Sequence, residues 1–166
     1  MNTRILSLKE QEGNAVFEKV FEWIRELTSQ SDNEDGRHFT DFITRNLRLP
    51  DPYRVFVIVD EDLDDVVGIA SLIPDDRGVE TELRTDCLWI GGVNIRRQYR
   101  RLGYGTELIE SIDTYLKNLV IEPLRVELFT DNPVAEKLYM KFGFQDTEER
   151  VTRDGRVNKV YSKRYH

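Results

Sequence analysis

Residues 95–106 read IRRQYRRLGYGT, and this stretch decides the fold. An apolar run typical of a strand, from Cys87 to Ile95, leads into it, and a helical pattern begins at Gly103. Two glycines and several arginines therefore lie where a strand ends and a helix begins. Unpaired N–H groups and the helix dipole attract anions at such a junction, and glycine lets a phosphate approach the backbone closely. The stretch is a candidate cradle for a pyrophosphate.

Other interpretations of the stretch remain. The Walker pattern GxxxxGK[ST] is absent, and the dinucleotide pattern GxGxxG fails because Leu108 occupies its third glycine position. Gly103 and Gly105 are also compatible with a tight turn that binds nothing. The four arginines within 96–101 would add charge to a phosphate site or support the loop, although a basic run is more often a solvated face. Spacing alone leaves the cradle and the structural turn open.

Working outward, hydrophobic periodicity predicts a mixed α/β (α+β) domain with the element order βααβββαβαββ. The predicted strands are 3–8, 53–59, 66–73, 87–95, 124–129, 144–151 and 157–165, and the predicted helices are 14–27, 36–47, 103–119 and 133–142. We find no repeat or linker, so the prediction is a single domain over 1–166.

Turn and cap residues predict several element boundaries. A polar loop is expected over 28–36 and a turn over 75–78. Asn132 is the expected N-cap of the last helix, with Pro133 at its first position and Gly143 at its end. A closing hairpin is expected around 154–155.

Residue type supports two further predictions, one about the central strand and one about the core. Gly91 and Gly92 interrupt the strand that ends at Ile95, which predicts a bulge or a close approach of another segment. Trp23 and Trp89 are predicted core residues.

Composition narrows the function. The chain has 31 acidic and 24 basic residues, a net charge of −7, which argues against sequence-independent nucleic-acid binding and fits a cationic small substrate better. One cysteine excludes an internal disulfide, and His38 and His166 have no metal-ligand spacing, so no metal is expected. No run has the length of a signal peptide or membrane span, so we expect no membrane partner and a cytoplasmic location.

Two motifs make the sequence resemble the GNAT (GCN5-related N-acetyltransferase) superfamily. Residues 100–105, RRLGYG, are similar to its Q/R-x-x-G-x-G/A signature, and Ile95 resembles the apolar residue that ends the preceding strand. Residues 131–144, DNPVAEKLYMKFGF, resemble its second motif, N-x-x-A-x-x-x-Y-x-x-x-G-F. The clear resemblance covers 88–148. It implies the GNAT fold, with a mixed central sheet of about six to seven strands flanked by about four helices.

The resemblance implies acetyl-CoA as co-substrate. Its pyrophosphate would lie on the turn, its pantetheine arm would pair with the central strand where that strand splays from its neighbour, and the second motif would contact the arm. The implied binding residues are Val93, Ile95, Arg100, Arg101, Leu102, Gly103, Tyr104, Gly105, Thr106 and Asn132. For Asn132, helix capping alone is an equally good interpretation.

Tyr139 is the residue that the resemblance marks as the general acid. A phenol with a pKa near 10 can hydrogen-bond to, or protonate, the departing thiolate, whose thiol has a pKa of about 8.5. The alternative is a tyrosine packed by its ring on the apolar face of its helix, beside Leu138 and Phe142.

The general base is less defined. The amine must lose a proton before it attacks, and family members often use a carboxylate on the central strands. Glu82 is our candidate base, with Glu80 as an alternative and Asp86 expected to point to the opposite face. Cys87 stands where some histone-type relatives have an acidic residue, and it is more typical of core than of a covalent nucleophile.

Three functions remain open at this level. The first is N-acetyl transfer to the primary amine of a small molecule, and the second is acetylation of a protein or peptide. The third is a non-catalytic coenzyme A-binding module. Residues 28–52 should select the acceptor, since the family shapes that site with its first two helices. The resemblance also allows a homodimer, because dimers are frequent in the superfamily.

Overall fold

The strands and helices form where the periodicity places them. In the computed structural model, residues 1–30, 35–74, 87–119, 124–153 and 155–166 are described. These residues contain strands β1 (Thr3–Ser7), β2 (Arg54–Asp60), β3 (Asp65–Ile73), β4 (Cys87–Ile95), β5 (Leu124–Thr130), β6 (Gln145–Arg153) and β7 (Arg156–Tyr165). They also contain helices α1 (Ala15–Gln30), α2 (Asp35–Asn46), α3 (Tyr104–Asn118) and α4 (Pro133–Lys141), with 3-10 turns at Leu8–Gln11 and Arg97–Tyr99.

The strands of the described residues form a seven-stranded mixed sheet in the order β1-β2-β3-β4-β5-β7-β6. The pairs β1–β2, β5–β7 and β6–β7 are antiparallel, whereas β4 and β5 are parallel. A parallel pair needs a crossover connection, and α3 lies in the chain between β4 and β5. The mixed α/β class and the order βααβββαβαββ are confirmed.

The chain divides into two compact units. The first comprises Met1–Ser71 with Gly92–Leu108, and the second comprises Leu72–Gly91 with Ile109–His166. The chain passes between the units at three places: within β3, between the two adjacent glycines of β4, and within α3. The single domain over 1–166 stays a prediction.

In the first unit, α1 and α2 bury their apolar stripes against β2 and β3. Val20 and Ile24 on α1, one helical turn apart, are fully buried, as is Ile43 on α2. Trp23 is 3% exposed and belongs to the same cluster, which confirms its prediction as a core residue. The unit is therefore held by helix-on-sheet packing of the predicted faces.

In the second unit, α4 begins and ends on the predicted signals. The Asn132 side chain accepts a hydrogen bond from the N–H of Val134 at 2.9 Å, and Pro133 opens the helix. Gly143 follows the helix with φ of +89°, a conformation that favours glycine. The β6–β7 hairpin also forms as predicted, with Gly155 at φ of +73°.

The predicted loop over 28–36 is wrong at both ends. Helix α1 continues to Gln30, and α2 begins at Asp35, one residue before the expected start. Residues 28–30 are polar but include neither glycine nor proline, so nothing in them breaks the helix. The predicted turn over 75–78 lies outside the described residues.

Candidate active site

The turn after β4 has the geometry of an anion site. Gly103 has φ of +94°, so the turn requires glycine there, and Arg101 has φ of +64°. Within the described chain, the first N–H of α3 to reach a backbone carbonyl is that of Glu107, which bonds to Gly103 at 3.1 Å. The preceding N–H groups of the helix are the ones that helix geometry leaves without intrahelical acceptors. The predicted strand–turn–helix is confirmed, and the structural and binding interpretations of Gly103 are compatible.

Arg96 and Arg100 support the loop rather than form a free basic face. Arg96 is largely buried, and its Nη1 lies 2.8 Å from both carboxylate oxygens of Asp65. Its guanidinium also lies over the ring of Trp23, 5.5 Å from the centroid. Arg100 donates from Nε to the carbonyl of Ile95 at 2.9 Å. The solvated-face interpretation is wrong for Arg96.

Leu102 and Arg101 are exposed beside these anchored arginines. The side chain of Leu102 is 55% exposed, and that of Arg101 also faces solvent. An exposed leucine in a turn contributes little to a core, so substitution at Leu102 can change the charge of the turn without disturbing packing.

Gly92 in β4 is required by a close approach. It has φ of +61°, and a Cβ built on it would lie 2.8 Å from Cε1 of Phe42 and 3.3 Å from Cε2 of Phe39. Both aromatic residues belong to α2, and their rings stack with centroids 6.2 Å apart. The close-packing interpretation of the glycine pair is thus confirmed for Gly92. Val93 and Ile95, the predicted pantetheine contacts, are half-buried on the same strand.

The register of β4 with β5 involves only part of the strand. Cys87–Trp89 pairs with Arg125–Glu127, while β4 itself continues to Ile95. Cys87 and Trp89 are each 1% exposed, so both are core residues as predicted. A buried thiol in the middle of a sheet is poorly placed for covalent catalysis.

Tyr139 lies on α4 and is 6% exposed. Its ring packs edge-on against Phe144 with centroids 6.3 Å apart, and no hydrogen bond of its hydroxyl occurs among the described residues. Burial raises the pKa of Tyr139 to about 12. The phenol is therefore a neutral hydrogen-bond donor at any physiological pH. The ring of Tyr139 is packed among buried residues, as the alternative to the general-acid role predicts. That packing leaves the hydroxyl proton available for a hydrogen bond.

Asn132 has the capping role that sequence reasoning gave as its alternative. Its Oδ1 accepts from Val134, and its own N–H donates to Oγ1 of Thr130 at 3.0 Å. The cap uses only the carbonyl oxygen, so the amide NH₂ can still donate to a ligand. Contact with acetyl-CoA stays a prediction.

The N-terminal part of α4 is anchored by a carboxylate that sequence reasoning missed. Glu136 accepts from Nζ of Lys159 at 2.8 Å and from the hydroxyl of Tyr161, and these two bonds lower the pKa of Glu136. Both partners lie on β7, more than 20 residues along the chain. No local pattern connects them, so only the pairing of β7 reveals this support.

The general base stays a prediction. Glu82, Glu80 and Asp86 all lie outside the described residues. Within the described ranges there is no group of three or more His, Cys, Asp or Glu side chains that could hold a metal ion. No helix in that part of the chain is long and apolar enough to cross a membrane.

The fold and the turn define a mixed α/β protein whose helix α3 begins at a glycine turn. The sequence profile of the acetyltransferase (GNAT) family matches residues 17–144, well over half of the chain. The chain therefore belongs to the GNAT acetyltransferase family, a family of acyltransferases. The resemblance seen in the two motifs is confirmed.

Individual relatives agree with this assignment. The uncharacterized N-acetyltransferase YycN of Bacillus subtilis (strain 168) is 26% identical over 110 residues, and the match spans 66% of each protein. The structure also resembles a GNAT-family acetyltransferase of Staphylococcus aureus Mu50, with a TM-score of 0.67, 16% identity and 99% of both chains covered. Arabidopsis thaliana NAA60 in complex with a bisubstrate analogue gives a TM-score of 0.63 at 14% identity, again over 99% of both chains. At such identities the likeness to the solved structures shows the fold alone.

Proposed function

We propose that this chain is an acetyl-CoA-dependent N-acetyltransferase that acetylates the primary amine of a small molecule. The observation that carries the proposal is the turn before α3, where Gly103 adopts positive φ and the first N–H groups of the helix are left for an anion. Membership of the GNAT family supports acetyl-CoA as the co-substrate. The net charge of −7 favours a cationic acceptor.

The pyrophosphate of acetyl-CoA would be held by backbone N–H groups of 101–106. The turn suits a phosphate because Gly103 carries no side chain and because the Arg100 side chain is held by a hydrogen bond to the carbonyl of Ile95. The pantetheine arm would pair with the backbone of β4 at Val93 and Ile95, beyond the last residue of the β4–β5 register, Trp89.

In the proposed reaction, the deprotonated amine attacks the thioester carbonyl carbon. The nitrogen of the tetrahedral intermediate loses a proton to solvent, the C–S bond breaks as the amide forms, and the thiolate of coenzyme A leaves with the electron pair. Tyr139 would donate a hydrogen bond to that sulfur. The ordinary pKa of such a thiol, about 8.5, lies well below that of Tyr139, so a retained phenol proton is favoured over complete transfer. Tyr139 then stabilises the leaving group chiefly as a hydrogen-bond donor.

The first experiment is calorimetric titration with acetyl-CoA of the wild-type protein and of Leu102→Glu and Leu102→Gln. Substitution of Gly103 is a poorer test, because any side chain there is strained at φ of +94°. Leu102→Glu adds a negative charge beside the turn and should raise Kd about fivefold at low ionic strength, whereas the uncharged Leu102→Gln should change it less than about twofold. Absence of binding by folded wild-type protein would remove the proposal.

Release of free thiol then identifies the acceptor. Small primary amines and peptides with free amino termini are compared at equal concentration. Turnover with small amines supports the proposal. Turnover with peptides alone would mean that the protein is a protein or peptide acetyltransferase. Tight binding without turnover on either panel would indicate a coenzyme A-binding module.

A further inference from the structure

Two aspartates flank the short turn between β2 and β3 and receive side chains from the turn after β4. Asp60 ends β2 and is 3% exposed, and Asp65 begins β3. Oδ1 of Asp60 accepts from the N–H groups of Asp62 at 2.9 Å and Leu63 at 3.1 Å, which closes the β2–β3 turn. Oδ2 of Asp60 accepts from the hydroxyl of Tyr104 at 2.5 Å.

Asp65, at the other end of the β2–β3 turn, also accepts hydrogen bonds from side chains of the segment after β4. It accepts from Nη1 of Arg96 at 2.8 Å and from the hydroxyl of Tyr99 at 2.8 Å. The rings of Tyr99 and Tyr104 meet edge-on with centroids 6.3 Å apart. We call Asp60, Asp65, Arg96, Tyr99 and Tyr104 the turn network.

The turn network attaches both ends of the segment before α3. Tyr104 is the first residue of the helix and is 3% exposed, and Tyr99 ends the 3-10 turn that follows Arg96. Its hydrogen bond with Asp60 raises the pKa of Tyr104 to about 12, and the bond with Asp65 raises the pKa of Tyr99. Charge-assisted bonds are among the stronger polar contacts in proteins. Both ends of the backbone segment between Tyr99 and Tyr104 are therefore attached to the β2–β3 turn.

We propose that Tyr99 and Tyr104 are positioning residues for the co-substrate pyrophosphate. Through Asp65 and Asp60 they hold the N–H groups of 101–106 in the orientation that an anion needs. The inference rests on the proposed function. Neither phenol contacts the ligand in this role, because each hydroxyl is already bonded to its aspartate. Preorganised donors bind an anion without an ordering cost.

The test uses two thioester donors. Acetyl-CoA contains the pyrophosphate, and S-acetylpantetheine lacks it. For Tyr104→Phe we expect kcat/KM with acetyl-CoA to fall about tenfold through KM, with kcat changed less than about twofold. With S-acetylpantetheine, kcat/KM should change less than about twofold. Tyr99→Phe should show the same pattern with a smaller effect, since Tyr99 is more exposed.

Tyr165→Phe is the matched control. Tyr165 is 6% exposed and donates to Oδ1 of Asp113 at 2.6 Å, so its loss removes the same kind of buried phenol–carboxylate bond away from the turn. It should lower Tm as Tyr104→Phe does but affect both donors equally. Equal losses on both donors for Tyr104→Phe, or no loss on either, would overturn the positioning role. If Tyr104→Phe does not fold, Tyr99→Phe decides by the same comparison.

The proposed function fails by a different result. If wild-type protein neither binds coenzyme A in calorimetry nor turns over acetyl-CoA, the function is wrong. If wild-type protein binds and the tyrosine variants bind equally well, only the positioning role is wrong.

Discussion

The hydroxyl of Tyr104, at the first residue of α3, donates to Oδ2 of Asp60, at the last residue of β2, over 2.5 Å. The two residues are 44 positions apart and both are buried. This bond lowers the pKa of Asp60, so the carboxylate stays ionised below its ordinary range. The start of α3 is thus attached to the β2–β3 turn.

Loss of this bond should reduce stability in a pH-dependent way. Tyr104→Phe should lower Tm by roughly 3–8 °C near neutral pH. The folded pKa of Asp60 is depressed, so its contribution is present above the unfolded pKa, about 3.9, and disappears as pH falls through the lower folded value. In thermal melts from pH 3 to 8, the difference from wild type should be constant above about pH 5 and narrow below about pH 4. A Tm difference between wild type and Tyr104→Phe that grows as the pH falls would contradict this link between the pKa of Asp60 and stability.

Tyr139→Phe should lower kcat by about 10- to 100-fold, because the leaving thiolate loses a hydrogen-bond donor. The pKa of Tyr139 is raised to about 12, so the phenol is protonated throughout the range from pH 7 to 10. The wild-type to variant ratio of kcat should therefore be independent of pH in that range. A wild-type to variant ratio of kcat that falls sharply near pH 9 would show that the pKa of Tyr139 is ordinary or lowered. Met140→Ala, at an exposed position on the same helix, is the control and should leave kcat unchanged.

Gly92→Ala should destabilise the protein more than Gly13→Ala. Both glycines have positive φ, +61° and +82°, so both substitutions cost about 1–2 kcal/mol of backbone strain. A Cβ at Gly13 has no atom within 4 Å, whereas one at Gly92 lies 2.8 Å from Cε1 of Phe42. The clash should add about 1–3 kcal/mol to the cost at Gly92. Urea unfolding measures the loss of stability in both variants. Equal losses would mean that α2 can shift to accommodate the new methyl group.

Arg96→Gln should lower the free energy of unfolding by about 1–3 kcal/mol, because Asp65 loses its charged donor and Trp23 loses the guanidinium above its ring. Arg97→Gln removes the same charge from an exposed position one residue away and should change stability by less than about 0.5 kcal/mol. Urea titrations of the two variants separate the anchored arginine from the solvated one. Similar losses for both would mean that the net charge of the stretch, rather than the contact with Asp65, governs stability.

Much of the architecture was predictable because it depends on signals carried by residues that are close together in the sequence. The β4 run ends at Ile95 as predicted, and Gly103 lies in a turn that only positive φ can close. Asn132 and Pro133 begin α4 through contacts within two residues. Both family motifs lie on such local signals, so the GNAT assignment followed from them. The start of the predicted loop over 28–36 was wrong for the complementary reason, since residues 28–30 contain no glycine or proline that would end α1.

The sequence by itself determined the order of elements, the glycine turn, the helix caps and the family, because each depends on backbone propensities that act over a few residues. Only the tertiary structure decided what the side chains around the turn do. In the sequence Arg96 is one of a run of basic residues, but in the structure it donates a hydrogen bond to Asp65, 31 positions earlier. Tyr104 occupies a variable position of the first motif, but in the structure its hydroxyl donates a hydrogen bond to Asp60. Burial likewise set the pKa of Tyr139. Such contacts arise when the sheet brings distant segments together, and no local spacing encodes them.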